Sequence, residues 1–492
     1  MNVKMLTAAR NEAEDLNPLN PGPADADFRP RILQSHEHTP PTDALARLAD
    51  EVRDADLAAP PVVLPDFYHK HGMEAPSSLA VATRGTIRPT LTSAAVNCGM
   101  ALITFDRPRP DEAAITDFYR RVRELYPYPS GYRRDLSAAE VRNCAVGGAE
   151  FAVDRWNIDP AELSRVEEGG RMPLEPYGGV DRALRELPWM VTQLARLRFG
   201  TIGPSTHFVE LQEVEEIFDD DVAALLGVQQ GQVTLQYHAG GGVLTGTLGA
   251  MYGTRLAGNP LVKAVLRAQK PLHHLLSARS LKELRLRWAL YFSGGCPPVP
   301  LDSPEGDRLM LANALAMNYG FAFRQATYSV LRAAARDFFG ADSRLVVDSP
   351  HNSIYPEEYE GETVLVHRHN SARAFPASRM AGHPVFGHTG MPLLLPGTNQ
   401  TSSYLCVAAE GAGYSLHSAC HGTGSIIDDF VSRGLSGTDP QGRSTLRYNY
   451  AEDQPERVDH LDDRGVDEGL QILVRHGIVR PVARLRPFAV LN

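Results

Sequence analysis

The sequence predicts an α+β protein, and three observations carry that prediction. From Val62 onward, short apolar runs are cut by Gly and Pro, which is how buried strands read. Between them lie segments with apolar residues at three- and four-residue spacing, which is how helices read. The two kinds do not alternate as regular βαβ units, and no internal repeat or low-complexity run is present.

Residues 14–61 are rich in Pro, Asp and Ala, and "DALARLADEVRDADLAAPP" within them has helical spacing closed by a proline pair. Residues 1–61 are therefore expected to form an N-terminal extension and residues 62–492 the main body. "VVLPD" and "SLAVATRGTIRPTLTSAAVNCGMALITF" read as short strands with Gly and Pro punctuation. "DEAAITDFYRRVRELY" (111–126) is an amphipathic helix with Ala114, Phe118, Val122 and Leu125 on one face. Further helices are expected over 181–198 and 305–338. "HFVELQEVEEI", "QVTLQYHAGGG" and "LVVDSPH" read as strands ending in polar corners, and a closing helix is expected near 465–477. "AGGGVLTGTLG" matches neither a phosphate-binding loop nor a dinucleotide fingerprint, so a tight turn is expected there.

A chain of 492 residues with 43% hydrophobic and 22% charged residues has ordinary globular composition and ample length for a core. Its net charge of −10 argues against a protein that coats nucleic acid non-specifically, though not against a basic cleft. Five scattered cysteines (Cys98, Cys144, Cys296, Cys406, Cys420) do not form a disulfide framework and suit a reducing compartment. The N-terminus has no apolar signal segment, and no run approaches the roughly 18 apolar residues that span a bilayer. A cytoplasmic location without a membrane partner is the expectation.

Four histidines flank strand-like runs: His207, His238, His351 and His421. Each abuts small residues, Pro or Asn, and strand ends at such corners are where side chains converge on a cleft. Cys98 sits at a comparable corner, "VNCGM". Imidazoles with a thiolate suit Zn²⁺, or Mn²⁺ if oxygen ligands join. The plainer reading is that a single histidine among 17 is a hydrogen-bonded structural residue and that Cys98 packs as a small hydrophobe. "HKHG" (69–72) reads as a solvated loop, and "FDDD" (218–221) as a solvated turn or helix cap. The arginines of "LKELRLRW" and "VRPVARLRPF" could meet phosphates, although exposed faces carry such residues routinely.

In order along the chain, "LPDFYHKHG", "AVNCGM", "GTIGPSTHFVE", "YHAGGG", "PHN", "HRHNSARAFP", "LLLPGTNQTSSYL" and "CHGTG" resemble the motifs of the RtcB family of RNA-splicing ligases, from about Val62 to Asn492. The resemblance implies a fold with central β-sheets carrying a metal cleft, flanked by helices. It implies joining of RNA 2′,3′-cyclic-phosphate or 3′-phosphate ends to 5′-hydroxyl ends, with GTP and Mn²⁺ (one or two ions). His421 matches the family's guanylated histidine, and a neutral imidazole can attack an α-phosphate. Cys98 matches a cysteine that bridges two Mn²⁺ ions in the family, with His238 and His351 completing one site and His207 belonging to the other. Thr206, Phe208, Glu210, Asn352, Pro396, Gly397, Thr398, Asn399, Ser403, Gly422, Thr423, Gly424 and Asn492 match positions around the nucleotide. A carboxylate at Glu210 could read guanine through its N–H groups.

The match also breaks at defined places. Ala95 stands where the family has a metal-binding Asp, Thr206 where it has Asn, and Tyr68 where it has the His of PDxH, with His69 next to it. Gly242 and Ser425 replace arginines, Leu491 and Asn492 end the chain where a Lys is expected, and Val458 or Asp459 replaces a Tyr. Lost charge-assisted contacts weaken phosphate binding by about 1.5–3 kcal/mol each. Three readings follow: a divergent RNA ligase, a repurposed nucleotide- and metal-dependent enzyme acting on a small molecule or other acceptor, or a non-catalytic binding protein.

Overall fold

Two sheets organise the protein, and one of the chain's passages between them turns at His351. The structure is a computed structural model that describes residues 29–492 apart from 71–72, 74, 93–94, 130–134, 204–205, 254–259, 294–296 and 453. The larger sheet runs, in spatial order, Pro392–Leu395, Ser403–Ala408, Val479–Leu491, Phe208–Ile217, Val233–Ala239, Gly99–Phe105 and Ser343–Pro350, each antiparallel to its neighbour. Ser444–Tyr448 adds to Val479–Leu491 in parallel and carries Glu456–Asp459. The smaller sheet runs Arg31–Ile32, Val62–Tyr68, Ser77–Thr83, Glu362–His369 and Asn352–Tyr359. The chain leaves the first sheet at Pro350, turns at His351 and enters the second at Asn352.

Gly99–Phe105 is buried throughout because both faces of its sheet are covered. Ala101, Ile103 and Phe105 join the core that the helices build, whereas Met100 and Leu102 join a second core with Phe386 and Leu405. The helical layer centres on Pro304–Phe339. Ser303 caps it, its Oγ accepting from Gly306 N at 3.0 Å, and Gly340 ends it at φ +59. Most of this helix is buried on every side, so its polar residues must find partners inside. Arg324 Nε meets Asp348 Oδ1 at 2.5 Å, with both side chains wholly buried.

Several expectations shift for local physical reasons. The stretch 181–198 is two helices, Gly179–Glu186 and Trp189–Leu197, because Pro188 holds Leu187 in an extended conformation. "AGGGVLTGTLG" turns at Gly241–Gly242 and then becomes the helix Gly242–Tyr252, a largely buried apolar segment. Gly242 lies at φ +83, and a Cβ there would stand 2.7 Å from the Tyr319 ring. Asp219 of "FDDD" caps Asp220–Leu226, its Oδ1 accepting from Val222 N at 3.1 Å. The helix Arg464–Arg475 is followed by the strand Val479–Leu491, so a strand closes the chain. Within the stretch read as an extension, Arg31–Ile32 pairs with Val62 and Val63, and Thr42–Val52 packs Ala44, Leu48 and Val52 against Val63, Phe67 and Leu79.

Candidate active site and metal centre

The site residues sit at the ends of strands where the two sheets meet. Cys98 immediately precedes Gly99–Phe105, at a corner only certain residues permit. Asn97 takes a left-handed φ of 56, and its side-chain amide donates to the Met317 carbonyl. Arg324 Nη1 donates to the Asn97 carbonyl at 2.5 Å and to its Oδ1 at 2.6 Å. At Gly99 a Cβ would lie 2.7 Å from the Ser349 carbonyl, so the residue after the cysteine must be glycine. The corner is tied to the sheet crossing, since His351 N–H donates to the Cys98 carbonyl and Asn97 N–H to the Asn352 carbonyl, each at 2.9 Å.

Strand register brings the other donors to Cys98. His238 pairs with Met100 on one side and with Phe208, the residue after His207, on the other. Cys98 Sγ lies 3.1 Å from His238 Nε2 and 3.5 Å from His207 Nε2. The donor atoms of Cys98, His207 and His238 all fall within 4.8 Å of one another. Tetrahedral ligation with metal–sulfur near 2.3 Å and metal–nitrogen near 2.0–2.1 Å separates such donors by about 3.5 Å, so the set is metal-sized. The resemblance implies Cys98 between two sites, one with His238 and His351 and one with His207, and the close donor set here holds Cys98, His207 and His238. His351 stands on the other side of His238, with ring centroids 4.9 Å apart. Its Nδ1 is buried with no hydrogen-bond partner.

His421 follows the strand Ser418–Cys420, which pairs with Ser371–Arg373. Its ring centroid is 4.1 Å from that of His351 and 6.0 Å from that of His238. The Asn370 carbonyl lies 3.0 Å from His421 Nδ1, which fixes the hydrogen there and leaves Nε2 with a free lone pair. His238 Nδ1 is held in the same way by the Thr206 carbonyl at 2.6 Å. Burial lowers the pKa of His207, takes those of His238 and His351 well below the usual value, and brings His421 down to about 4. All four imidazoles are thus neutral, as ligands and nucleophiles must be. Burial pushes the Cys98 thiol up to about 12, with Arg324 pulling the other way. A bound cation would reverse that preference and favour thiolate.

The positions matched to the nucleotide lie around this centre, and several are already engaged. Phe208 sets its ring edgewise to His238 at 5.8 Å. Glu210, on the same strand, is buried and accepts from Gln212 Nε2 at 2.7 Å, and burial raises its carboxyl to about 8. Asn352 braces the loops, donating to the Ala95 carbonyl at 3.2 Å and accepting from Asn370 N at 2.8 Å. Thr423 Oγ1 donates to the Pro396 carbonyl at 2.9 Å, linking the Gly422–Gly424 corner to the loop holding Gly397, Thr398 and Asn399. That loop is closed by Gly397 N to Ser403 Oγ at 3.2 Å and Thr398 N to Thr401 Oγ1 at 2.9 Å. Register sets Leu491 against Val209, so Asn492 ends beside Phe208, and its Oδ1 accepts from Arg447 at 2.9 Å.

Three contributors have roles that no motif announces, although Asp66 and Asn370 lie within "LPDFYHKHG" and "HRHNSARAFP". Asp66 is buried and accepts from Ser425 N at 2.9 Å and from its hydroxyl, fixing the start of the helix after His421. Asn370 acts through its backbone carbonyl, and Arg324 lies more than two hundred residues from the corner it holds. His69 binds the Met73 carbonyl at 3.2 Å, while His71 and Gly72 of "HKHG", like Cys296, lie outside the described residues. The arginines of "VRPVARLRPF" are engaged: Arg480 with Asp219 at 2.8 Å, Arg484 with Glu216 at 3.0 Å and Arg486 with Asp463 at 2.6 Å.

Sheets that present one thiol and two close imidazoles beside a buried neutral histidine define a protein with a candidate metal centre next to a candidate nucleophile. A family model described as "tRNA-splicing ligase RtcB" matches residues 53–492, and the chain belongs to that family. It is 29% identical over 428 residues to the tRNA-splicing ligase RtcB of Pyrococcus abyssi, a match covering 80% of this chain and 42% of that protein. It is 28% identical over 462 residues to the tRNA-splicing ligase RtcB of Thermococcus kodakarensis, covering 87% and 86%. It is 26% identical over 457 residues to the RNA-splicing ligase RtcB of Mycobacterium tuberculosis, covering 87% and 96%. The chain thus spans under half the length of some curated relatives and most of others.

Proposed function

We propose that the protein is a metal-dependent nucleotidyl-transferring ligase that uses GTP to join RNA 2′,3′-cyclic-phosphate or 3′-phosphate ends to 5′-hydroxyl ends through His421. The observation that carries this reading is the Asn370 carbonyl at 3.0 Å from His421 Nδ1, which leaves a desolvated, neutral Nε2 beside the donor cluster. Nε2 attacks the α-phosphorus of GTP, a P–N bond forms and pyrophosphate leaves with the electron pair of the broken P–O bond. A cyclic-phosphate end is first opened by water, which adds to phosphorus as the P–O2′ bond breaks and the 2′-oxygen takes the proton. A 3′-phosphate oxygen then takes the nucleotide, the P–N bond breaks, and His421 is neutral again. The partner hydroxyl displaces GMP from the activated phosphate and loses its proton.

Cys98, His207 and His238, with His351 beside them, fit a divalent cation, and we assign Mn²⁺ on family grounds. The cation supplies charge neutralisation at phosphate oxygens. His238 is held as a ligand by Thr206, and Arg324 holds the Cys98 corner against it. Glu210, Phe208 and the Gly397–Asn399 loop form the expected nucleotide seat. A cytoplasmic location belongs to the same reading.

A second reading has its own observation. Ser425 binds Asp66, and Gly242 packs against Tyr319, so neither place supplies a cation for an RNA phosphate. That favours a repurposed enzyme that keeps the His421 chemistry for a small-molecule or other non-RNA acceptor. The test is intact mass after incubation with Mn²⁺ and each ribonucleoside triphosphate in turn. A gain of one GMP, lost in His421→Ala, supports nucleotidyl transfer, and RNA ends then decide between the two acceptors. No gain with any nucleotide in metal-loaded protein would rule out nucleotidyl transfer through His421 and leave the metal centre with a different reaction or a binding role.

A further inference from the structure

Away from the site, the segment 260–292 differs in character from the rest of the chain. It carries seven lysines and arginines against one glutamate, in a protein of net charge −10. It forms two helices, Pro260–His274 and Leu281–Tyr291, joined by an elbow. The base of the elbow is firmly built. Arg287 Nη1 donates to the His274 carbonyl and to Ser277 Oγ, each at 2.9 Å, and its Nε meets Glu305 at 2.7 Å. The His274 ring stacks on Tyr291 at 3.9 Å. Beyond that base the apolar side chains face solvent: Leu276 is 76% exposed, Leu281 72%, Leu272 60%, Trp288 55% and Leu284 36%. Arg267, Arg279, Lys282 and Arg285 are exposed among them.

We propose that this elbow is a docking surface for an anionic lipid bilayer, with the leucines and Trp288 entering the headgroup boundary and the basic side chains lying on acidic headgroups. Exposure is greatest at Leu276 and Leu281, which flank the turn, and this suits a protruding tip that dips into an interface. Leu281, Leu284 and Trp288 repeat at i, i+3 and i+7, so they share a face of their helix. Apolar anchors combined with a polybasic flank are the two signals that stable peripheral attachment needs. No helix among the described residues is long and apolar enough to cross a membrane, so the attachment is peripheral. A second copy of the chain would bring like charges together on this face, and a nucleic acid would have no use for the leucines.

The test is co-sedimentation of the full chain with vesicles of phosphatidylcholine plus phosphatidylglycerol, and with vesicles of phosphatidylcholine alone. Binding to the mixed vesicles is expected to exceed binding to the neutral ones by at least about tenfold and to fall with added salt. Leu276→Glu with Leu281→Glu, and separately Arg279→Glu with Lys282→Glu and Arg285→Glu, should each abolish it, with circular dichroism unchanged because these side chains are exposed. Failure of the wild-type chain to sediment with either vesicle overturns the proposal. So does binding that survives the leucine replacements, or self-association in sedimentation equilibrium that the leucine replacements remove. Binding of single-stranded RNA through the same arginines, without vesicle binding, would make the face a nucleic-acid surface instead.

Discussion

Arg324 and Asp348 face each other across the interior, 2.5 Å apart and without solvent, and Arg324 also holds the Asn97 carbonyl and side-chain oxygen. One guanidinium thereby joins the central helix, a strand of the larger sheet and the corner that presents Cys98. Removing one partner of such a pair strands a buried charge, typically at a cost of about 3–5 kcal/mol. Arg324→Met should therefore lower stability by that order in urea titrations and weaken metal retention. Arg324→Met with Asp348→Asn should recover part of the stability but not the metal. Equal recovery of both would show that the ion pair does not position Cys98.

The close donor set predicts how metal is lost. Cys98→Ser and His238→Ala should each weaken binding of a divalent cation by at least about 10–100-fold, the scale seen when even an outer partner of a metal site is removed. Calorimetric titration with Mn²⁺ and with Zn²⁺ on chelator-stripped protein measures this directly. Ala95→Asp, which adds an oxygen donor near Cys98, should raise Mn²⁺ affinity relative to Zn²⁺. An unchanged ratio would show that residue 95 does not face the ion.

Glu210 gives a stability effect that depends on pH. Its folded carboxyl is raised to about 8, so between roughly pH 4.5 and 8 the unfolded chain is ionised while the folded one holds the proton. Stability from this group is full below the unfolded value and is lost as pH rises through that window. Glu210→Gln keeps the contact with Gln212 and should stabilise the protein at pH 8 by on the order of 2 kcal/mol, with little effect at pH 4. Melting temperatures of both proteins across that range check it, and parallel curves would refute a buried neutral carboxyl.

The histidines act in the opposite sense on the acid side. His421, His367 and His369 are each brought down to about 4 by burial, so the unfolded chain binds more protons between roughly pH 6.5 and 4. Their contribution is complete above the unfolded value and disappears as pH falls toward 4. Metal-free protein should lose stability steeply over that interval, and His367→Gln should make the loss shallower in acid titrations followed by fluorescence.

Gly242 stands where the resemblance to the family leads one to expect an arginine, and its geometry bears on whether an arginine fits there. At φ +83 with the Tyr319 ring 2.7 Å from a would-be Cβ, Gly242→Ala should destabilise by about 1–3 kcal/mol. Gly242→Arg should fare worse and should not restore phosphate binding. A stable arginine variant with gained RNA affinity would mean this turn rearranges easily.

Much of the site was legible because its corners make unusual demands on the backbone. The glycine after Cys98 and the asparagine before it are visible in the sequence because other residues would clash or resist the left-handed turn. Strand periodicity placed His207, His238 and His351 at strand ends for the same kind of reason. What stayed hidden was chemistry done by groups with no signature. Any residue at 370 would offer a carbonyl to His421, and nothing local marks Asp66 as the acceptor for Ser425. The closeness of His207 and His238 to Cys98 depends on the register between strands, which spacing along the chain cannot express. The break at Pro188 was written in the sequence, but helical periodicity on both sides masked it.

The crossing at His351 has a consequence for how the protein comes into being. Cys98, His207, His238, His351 and His421 come from separate stretches of the chain. The first three meet when three strands of the larger sheet pair, and His351 and His421 join them from beyond the turn between Pro350 and Asn352. Contacts so distant in sequence form slowly, after loop-closure entropy has been overcome. A nascent or partly folded chain therefore offers an ion scattered histidines and a lone thiol, not a binding site. On the proposed reading, a cation is captured only once these strands have paired, so its uptake reports a folded molecule.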